Sequence, residues 1–227
     1  LQPPPPEGLR RNMQREAART LFSLSPSYQK PAADNYEVIV VENGSSERLE
    51  GKEVRRLGAN FRYFYFEAKT PSPAEAINFG VSKARGEMVG ICIDGARILT
   101  PGILDYVIRA NQAYRNPFVA TLGWHLGPDV QSKSTLDGYD KATEDELLKS
   151  INWRKTPYKM FEVSTLGGSY KRGWFASFVE SNCFFLKKKM FKKLGGYDER
   201  FQSPGGGLVN MDFFRKACEA KNSQLIV

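Results

Sequence analysis

The feature that most restricts the fold is an alternation of apolar runs with helical patterns over residues 36–124. The apolar runs are rich in β-branched and aromatic residues, which favour strands, and they predict strands over 36–41, 61–67, 87–94 and 118–124. Between them, residues 72–86 and the stretch that begins at Thr100 carry apolar side chains at helical spacing. Strands that alternate with helices over short connections predict an α/β fold, in which helices cover both faces of a parallel sheet.

Two of the predicted strands end in a carboxylate beside small residues. In VIVVENGSS, Glu42 follows a β-branched run and precedes Asn43, Gly44 and Ser45; in EMVGICIDGA, Asp94 occupies the corresponding place. Asn-Gly is also a strong turn signal, so a buried strand that simply ends in a turn is the alternative. Ligands of open α/β sheets bind outside the carboxyl ends of the strands. The pattern therefore predicts a ligand crevice at this edge.

The chain is basic, and this favours anionic partners. Its formal net charge is +8, which suits nucleic acid, acidic lipid or a phosphate-bearing small molecule. No zinc finger, aromatic RNA-binding signature or basic region with heptads is present in the sequence, so no nucleic-acid partner is predicted. The five lysines of LKKKMFKKL, between residues 187 and 193, are interpreted as a solvated helix face, with contact to an anionic membrane surface as the alternative.

The cysteines and the single histidine argue against a structural metal site. Cys92, Cys183 and Cys218 lie far apart, and the first two stand in apolar runs, which predicts buried, reduced thiols in a cytoplasmic protein. His125 is the only histidine, so a zinc site is not expected. No apolar run reaches the ~18–20 residues needed to cross a bilayer. The predicted location is the cytoplasm, with peripheral attachment at the inner face of the membrane as the alternative.

Three stretches occur in the order YEVIVVENGSSE, AINFGVSKARGEMVGICIDGA and SNCFFLKKKMFKKLGGYDERF, the last followed by Asp212. Together they resemble family-2 glycosyltransferases of the GT-A fold over roughly residues 12–222. The first is similar to the strand that usually ends in Asp-x-Gly-Ser. The second is similar to the Asn-x-Gly helix and the strand that carries Asp-x-Asp. The third is similar to the acceptor-side segment Gly-Gly-Phe-Asp-Glu.

The resemblance implies a GT-A-type, mostly parallel sheet flanked by helices, with a Rossmann-like nucleotide-binding half and an acceptor-side half. It implies an enzyme of polysaccharide biosynthesis that moves a sugar from a nucleotide-diphosphate donor, a UDP-sugar, to an acceptor hydroxyl with inversion. The implied acceptor is a saccharide, a lipid or a protein. The implied cofactor is a divalent cation, Mn²⁺ or Mg²⁺, which would bridge the diphosphate and requires hard oxygen ligands.

The resemblance also implies a division of the chain and a set of site residues. The predicted parts are a Pro-rich arm (1–11), the nucleotide-sugar-binding half (12–124), an insertion (125–173) and the acceptor-side half (174–227), which is expected to be truncated at its C-terminus. The residues implied in nucleotide-sugar binding are Glu42, Asn43, Gly44, Ser45, Asn78, Asp94 and Ala96. Asp94 is also the implied metal ligand, and Asp212 is the implied catalytic base.

The sequence departs from the family pattern at several of these positions. Ala96 replaces the second acid of Asp-x-Asp, and Val209 and Asn210 stand where the base normally lies. Asn210 cannot accept a proton near neutral pH, so Asp212 is the remaining acid, unless it only caps or favours the last helix. Arg97 is interpreted as a surface residue, or as a source of positive charge near the diphosphate.

Two other functions are compatible with the sequence. A non-catalytic GT-A relative that binds a nucleotide or sugar is the main alternative, because acids of the family pattern are replaced. A nucleotidyltransferase is disfavoured, because no Gly-x-Gly-x-x-Gly loop follows a first strand.

Overall fold

The structure is a computed structural model that describes residues 14–29, 33–45, 48–93 and 97–227. The predicted Pro-rich arm lies outside the described residues. The helices are α1 (Gln14–Ser23), α2 (Pro26–Gln29), α3 (Gly51–Arg56), α4 (Ala74–Lys83), α5 (Ile103–Ala113), α6 (Gln131–Ser134), α7 (Lys141–Ser150), α8 (Lys188–Lys193) and α9 (Val209–Glu219). The strands are β1 (Val38–Asn43), β2 (Phe61–Phe66), β3 (Met88–Cys92), β4 (Pro117–Ala120), β5 (Trp124–Leu126), β6 (Ser164–Leu166), β7 (Cys183–Lys187) and β8 (Gln224–Ile226).

The central strands form one parallel pair and one mixed sheet. Strands β1 and β2 form a parallel pair, in register from Val38 opposite Phe61 to Asn43 opposite Phe66. A four-stranded sheet has the order β3-β7-β4-β8. Both β3 and β4 run antiparallel to β7, and β8 runs parallel to β4, so β7 is the one reversed strand of the four. The predicted α/β fold with a mostly parallel sheet is confirmed.

Helices cover both faces of the four-stranded sheet. On one face, the side chains of Phe118, Phe184 and Leu186 pack with Phe213 of α9 in the largest buried cluster. On the other face, Phe185 and the neighbouring inward residues pack against α5. Strand β7 is consequently buried on both sides, which explains its almost continuous apolar sequence CFFL.

The strand predicted over residues 118–124 is instead two strands. The main-chain N–H of Thr121 donates both to the Ser181 hydroxyl and to the Cys183 carbonyl (3.1 Å each), and the Ser181 hydroxyl donates back to the Thr121 carbonyl (2.9 Å). These side-chain hydrogen bonds interrupt the ladder after β4. The chain then turns to form β5, which pairs antiparallel with β6. Apolar composition alone does not reveal this break.

The segment 125–173 packs against the N-terminal helices. Arg15 of α1 donates to Asp145 of α7 (2.8 Å), and Arg19 makes ion pairs with the acidic residues of the same helix. Trp153, which follows α7, packs edge-on against Phe22 at a ring-centroid distance of 5.5 Å. Among the described residues, none of the helices combines the length and the apolar character that crossing a bilayer requires.

Candidate active site

The carboxylate of Glu42 lies buried at the end of β1. Both of its oxygens accept from the main-chain N–H of Leu49 (3.2 and 3.0 Å), and the Tyr63 hydroxyl of β2 donates to Oε2. Burial, together with this hydrogen bond to Glu42, raises the pKa of Tyr63 to about 12, so the hydroxyl keeps its proton near neutral pH. These hydrogen bonds tie the chain at Leu49 back to the strand end. Sequence reasoning missed Tyr63, although its place in the FRYFYF strand is a usable signal.

The next residues form a turn that Gly44 makes possible. Asn43 donates from its side-chain amide to the Ser72 carbonyl (3.1 Å), which joins the end of β1 to the segment before α4. Its side-chain oxygen is buried and accepts no hydrogen bond within the described part of the chain. Gly44 has φ +65°, which glycine adopts without strain, and Ser45 is partly buried beside it. The turn therefore leaves one buried acceptor for a ligand or a water molecule.

Asn78 joins α4 to the loop that follows α8. Its amide nitrogen donates to the Tyr197 carbonyl and to the Glu199 carboxylate, and its oxygen accepts from the Tyr197 N–H (2.9 Å each). A side chain at Gly196 would lie 2.6 Å from this oxygen, so the glycine permits the close approach. Both amide hydrogens of Asn78 are thus used inside the protein. The predicted contact of this residue with a nucleotide would require them to be released.

The end of β3 lies beside the start of β7. Asp94 and Ala96 lie outside the described residues, and the last described residue before them is Ile93, whose N–H donates to the Asn182 carbonyl (2.9 Å). Asn210 of α9 reaches the same edge, because its amide donates to the Ser181 carbonyl (3.1 Å) and to the Asn182 side chain (3.0 Å). The Tyr197 hydroxyl donates to the oxygen of Asn210 (2.9 Å). The hydrogen bonds of Asn210 therefore join α9 to the segment just before β7.

Asp212 lies in the first turn of α9 and is ion-paired within that helix. Its carboxylate contacts Lys216 (2.5 Å) and Arg215 (3.5 Å), and its side chain is 20% exposed. Two residues along an α-helix are separated by roughly 200° of rotation, so Asp212 does not share the face on which Asn210 contacts Asn182. The structure brings Asn210, not Asp212, to the start of β7.

The neighbour of Asp212, Lys216, lines an open depression of about 510 Å³. The other lining residues are Asn78, Gln202 and the loop 194–200. Within this loop the guanidinium of Arg200 makes a two-pronged ion pair with Asp198 (2.7–3.1 Å), and these hydrogen bonds lower the pKa of Asp198 to about 2. The depression thus carries both acidic and basic side chains. Asp212 does not line it but contacts Lys216, which does.

Few side chains among the described residues could hold a metal. Within the described ranges no group of three or more His, Cys, Asp and Glu side chains is placed to bind an ion. Glu42, the carboxylate at the end of β1, already accepts from Leu49 and Tyr63. His125 is half-buried in β5, and burial and the nearby charge of Arg97 lower its pKa. A divalent cation at the end of β1 would therefore need oxygen ligands beyond this carboxylate.

Comparison with known proteins gives a family and a fold. The sequence matches the family described as "Glycosyltransferase like family 2" over residues 23–223. No curated protein matches it. The structure is similar to that of S. aureus TarS 1-349, with a TM-score of 0.61 and 16% identity, over 95% of this chain and 55% of that chain.

Two further structures of the same S. aureus protein are similar. TarS 1-349 in complex with UDP aligns with a TM-score of 0.62 and 13% identity, over 95% of this chain and 55% of that chain. The structure titled "S. aureus TarS" aligns with a TM-score of 0.60 and 13% identity, over 95% of this chain and 33% of that chain. The chain thus spans about half or less of the solved chains that it matches, and at these identities the likeness is one of fold.

Proposed function

The chain belongs to the glycosyltransferase family 2-like proteins, and from this membership we propose that it transfers a sugar from a UDP-sugar to an acceptor hydroxyl, with inversion. The observation that carries the proposal is the family match over residues 23–223 together with the buried Glu42 at the end of β1. A TarS structure of the same fold was solved in complex with UDP, which supports a uridine nucleotide as the ligand.

The proposed nucleotide site is the edge formed by the ends of β1 and β3. A carboxylate has about four acceptor positions, and the hydrogen bonds from Leu49 and Tyr63 occupy three on Glu42. Glu42 can therefore accept one further hydrogen bond from a ligand, and Asp94 is left to contact the ribose. The guanidinium of Arg48 lies 3.7 Å from the ring centre of Tyr65. Tyr65 stands opposite Glu42 in the register of β1 and β2. Its charge is suited to an anionic ligand at this edge.

We expect Asp94→Ala to weaken UDP binding roughly 10- to 100-fold, because each hydrogen bond to a charged group contributes about 1.5–3 kcal/mol. Isothermal titration calorimetry with UDP measures the change. Asp105→Ala is the matched control, since Asp105 is a half-exposed acid on α5 paired with Arg109 (2.9 Å) and its loss should leave the affinity unaltered. Equal UDP affinity in wild type and Asp94→Ala would refute the placement of the site.

We propose that divalent metal contributes less here than in relatives that keep both acids of Asp-x-Asp. Ala96 offers no ligand, and Mn²⁺ or Mg²⁺ bound through a single protein carboxylate would rely on the diphosphate oxygens. Addition of EDTA is therefore expected to lower UDP affinity by less than about tenfold, which corresponds to less than about 1.4 kcal/mol. A calorimetric titration in which EDTA abolishes binding would overturn this expectation.

A non-catalytic relative is the second candidate function. It is favoured by Asn210, which replaces the usual base and whose amide is already bonded to Ser181 and Asn182. The two candidates differ in donor turnover. A transferase should release UDP from a UDP-sugar, slowly when water is the acceptor and faster when an acceptor substrate is present. A binding protein should bind UDP but should not cleave a UDP-sugar.

We also propose a class of acceptor and a cellular location. Of the five lysines near α8, Lys187 pairs with Glu87 (2.9 Å) and Lys188 donates to the Ala84 carbonyl, whereas the other three are exposed. Helix α8 follows the carboxyl end of β7, whereas the proposed nucleotide site lies at the amino end of β7. A membrane bound by these lysines would face the opposite end of the sheet. We therefore propose a solvated lysine face on a cytoplasmic protein, with a saccharide or protein acceptor.

A further inference from the structure

Two cysteines lie directly opposite each other at the ends of neighbouring strands. Cys92 is the last residue of β3, and Cys183, the first residue of β7, is its partner in the antiparallel ladder. The flanking pair is hydrogen-bonded, because the Ile93 N–H donates to the Asn182 carbonyl, and hydrogen-bonded pairs alternate along such a ladder. The cysteines therefore occupy a non-hydrogen-bonded position. There the Cα atoms of a pair lie about 4.5 Å apart, within the range of about 4.4–6.8 Å seen in disulfides.

Both side chains lie on the face of the sheet that α5 covers. Cys183 belongs to the buried cluster on that face, and Cys92 packs against the same cluster while keeping part of its surface exposed. Side chains at directly opposite, non-hydrogen-bonded positions approach each other most closely, so the two thiol groups lie side by side across the strands. The two sulfurs are thus neighbours, and only one of them is open to a small reagent from solvent.

We propose that Cys92 and Cys183 form a reversible disulfide across β3 and β7, with a low-molecular-weight disulfide such as glutathione disulfide as the oxidant. The Cys92 thiolate attacks one sulfur of the oxidant, which forms a mixed disulfide and releases one glutathione thiolate. Cys183 gives its proton to solvent base and attacks the Cys92 sulfur, which releases the second glutathione. The two protein thiols are oxidised, and glutathione disulfide is reduced to two glutathione molecules.

The position of this link gives it a structural consequence. It joins the strand end that precedes residues 94–96 to the start of β7, where Asn210 contacts Asn182. It also closes a loop of roughly 90 residues, and cross-links that close long loops restrict the unfolded chain most. Oxidation is therefore expected to raise the melting temperature. Disulfides in reducing compartments are typically transient and redox-sensing, in keeping with a reversible link.

The test uses the full chain with Cys218→Ser, which removes the exposed third thiol. After incubation with glutathione disulfide, we expect intact-mass spectrometry to show the loss of two hydrogen atoms. A non-reducing peptide map should show the Cys92 and Cys183 peptides linked. The melting temperature should rise on oxidation and return to its starting value with dithiothreitol.

The matched control is Cys92→Ser in the same background, which should neither form the link nor change its melting temperature with the oxidant. A stable glutathione adduct on Cys92 would overturn the proposal, since it would show that Cys183 cannot reach the mixed disulfide. Oxidation seen only in urea, or a lower melting temperature after linkage, would also overturn it.

Discussion

If Asp212 is the catalytic base that the family resemblance implies, Asp212→Asn is expected to lower turnover by roughly 10²- to 10⁴-fold, the typical contribution of a general base, while UDP affinity stays the same. Asp212 is the acid that persists near the position of the family's base, because Asn210 cannot accept a proton and is bonded to Ser181, Asn182 and Tyr197. Its carboxylate is ion-paired with Lys216 and Arg215, so in that role it would have to exchange its contact with Lys216 for the acceptor hydroxyl. Release of UDP from a UDP-sugar in single-turnover assays measures the effect.

Glu219→Gln is the control for this experiment, because Glu219 lies on the same helix and shares the partner Arg215 (2.9 Å). It should keep full turnover. If Asp212→Asn instead loses about 0.3–1 kcal/mol of stability and keeps its activity, Asp212 serves the helix N-terminus only. That result would favour the non-catalytic relative.

Phe213→Ala is expected to lower the free energy of unfolding by about 3–5 kcal/mol, the usual cost of emptying a large aromatic site in a core. The Phe213 ring is fully buried and packs on Phe184, Phe191 and Tyr197 at centroid distances of 5.0–5.6 Å. It therefore connects the sheet to both α8 and the loop that Asn78 holds. Urea denaturation monitored by circular dichroism gives the difference.

Phe175→Ala supplies the contrast, since this ring is 99% exposed. Its removal should change the free energy of unfolding by no more than about 0.5 kcal/mol, as is usual for surface substitutions. Equal losses in the two variants would mean that Phe213 is not at the centre of the core.

The sequence was informative about local structure and about strand ends. The strand that leads to Glu42 and the helix that carries Asn78 lie near the predicted positions, because the first is a β-branched run and the second has apolar side chains at helical spacing. The opposite orientations of Asn210 and Asp212 also follow from helix geometry alone. That β7 is inserted between β3 and β4 could not be predicted this way, because periodicity shows which face of a strand is apolar but not which strand is its neighbour.

The candidate site shows the same limit. That the sequence has an acid at position 42 is plain, but its hydrogen bonds to Tyr63 and Leu49 depend on the β1–β2 register and on the course of the chain after Gly44. Asn78 was predicted to bind a nucleotide, and its contacts with Tyr197 and Glu199 join parts of the chain about 120 residues apart. Contacts of that separation leave no local pattern in composition or spacing.

The insertion of β7 between β3 and β4 has a consequence for synthesis on the ribosome. Strand β3 pairs with β7 among the described strands, and that partner lies roughly 90 residues later in the chain. The ribosome adds about 5–20 residues per second, so the apolar edge of β3 stays unpaired for roughly 5–20 seconds until β7 is synthesised. During that interval β3 and β4 have no common neighbour, and nascent chains that end before β7 should be the ones that bind chaperones.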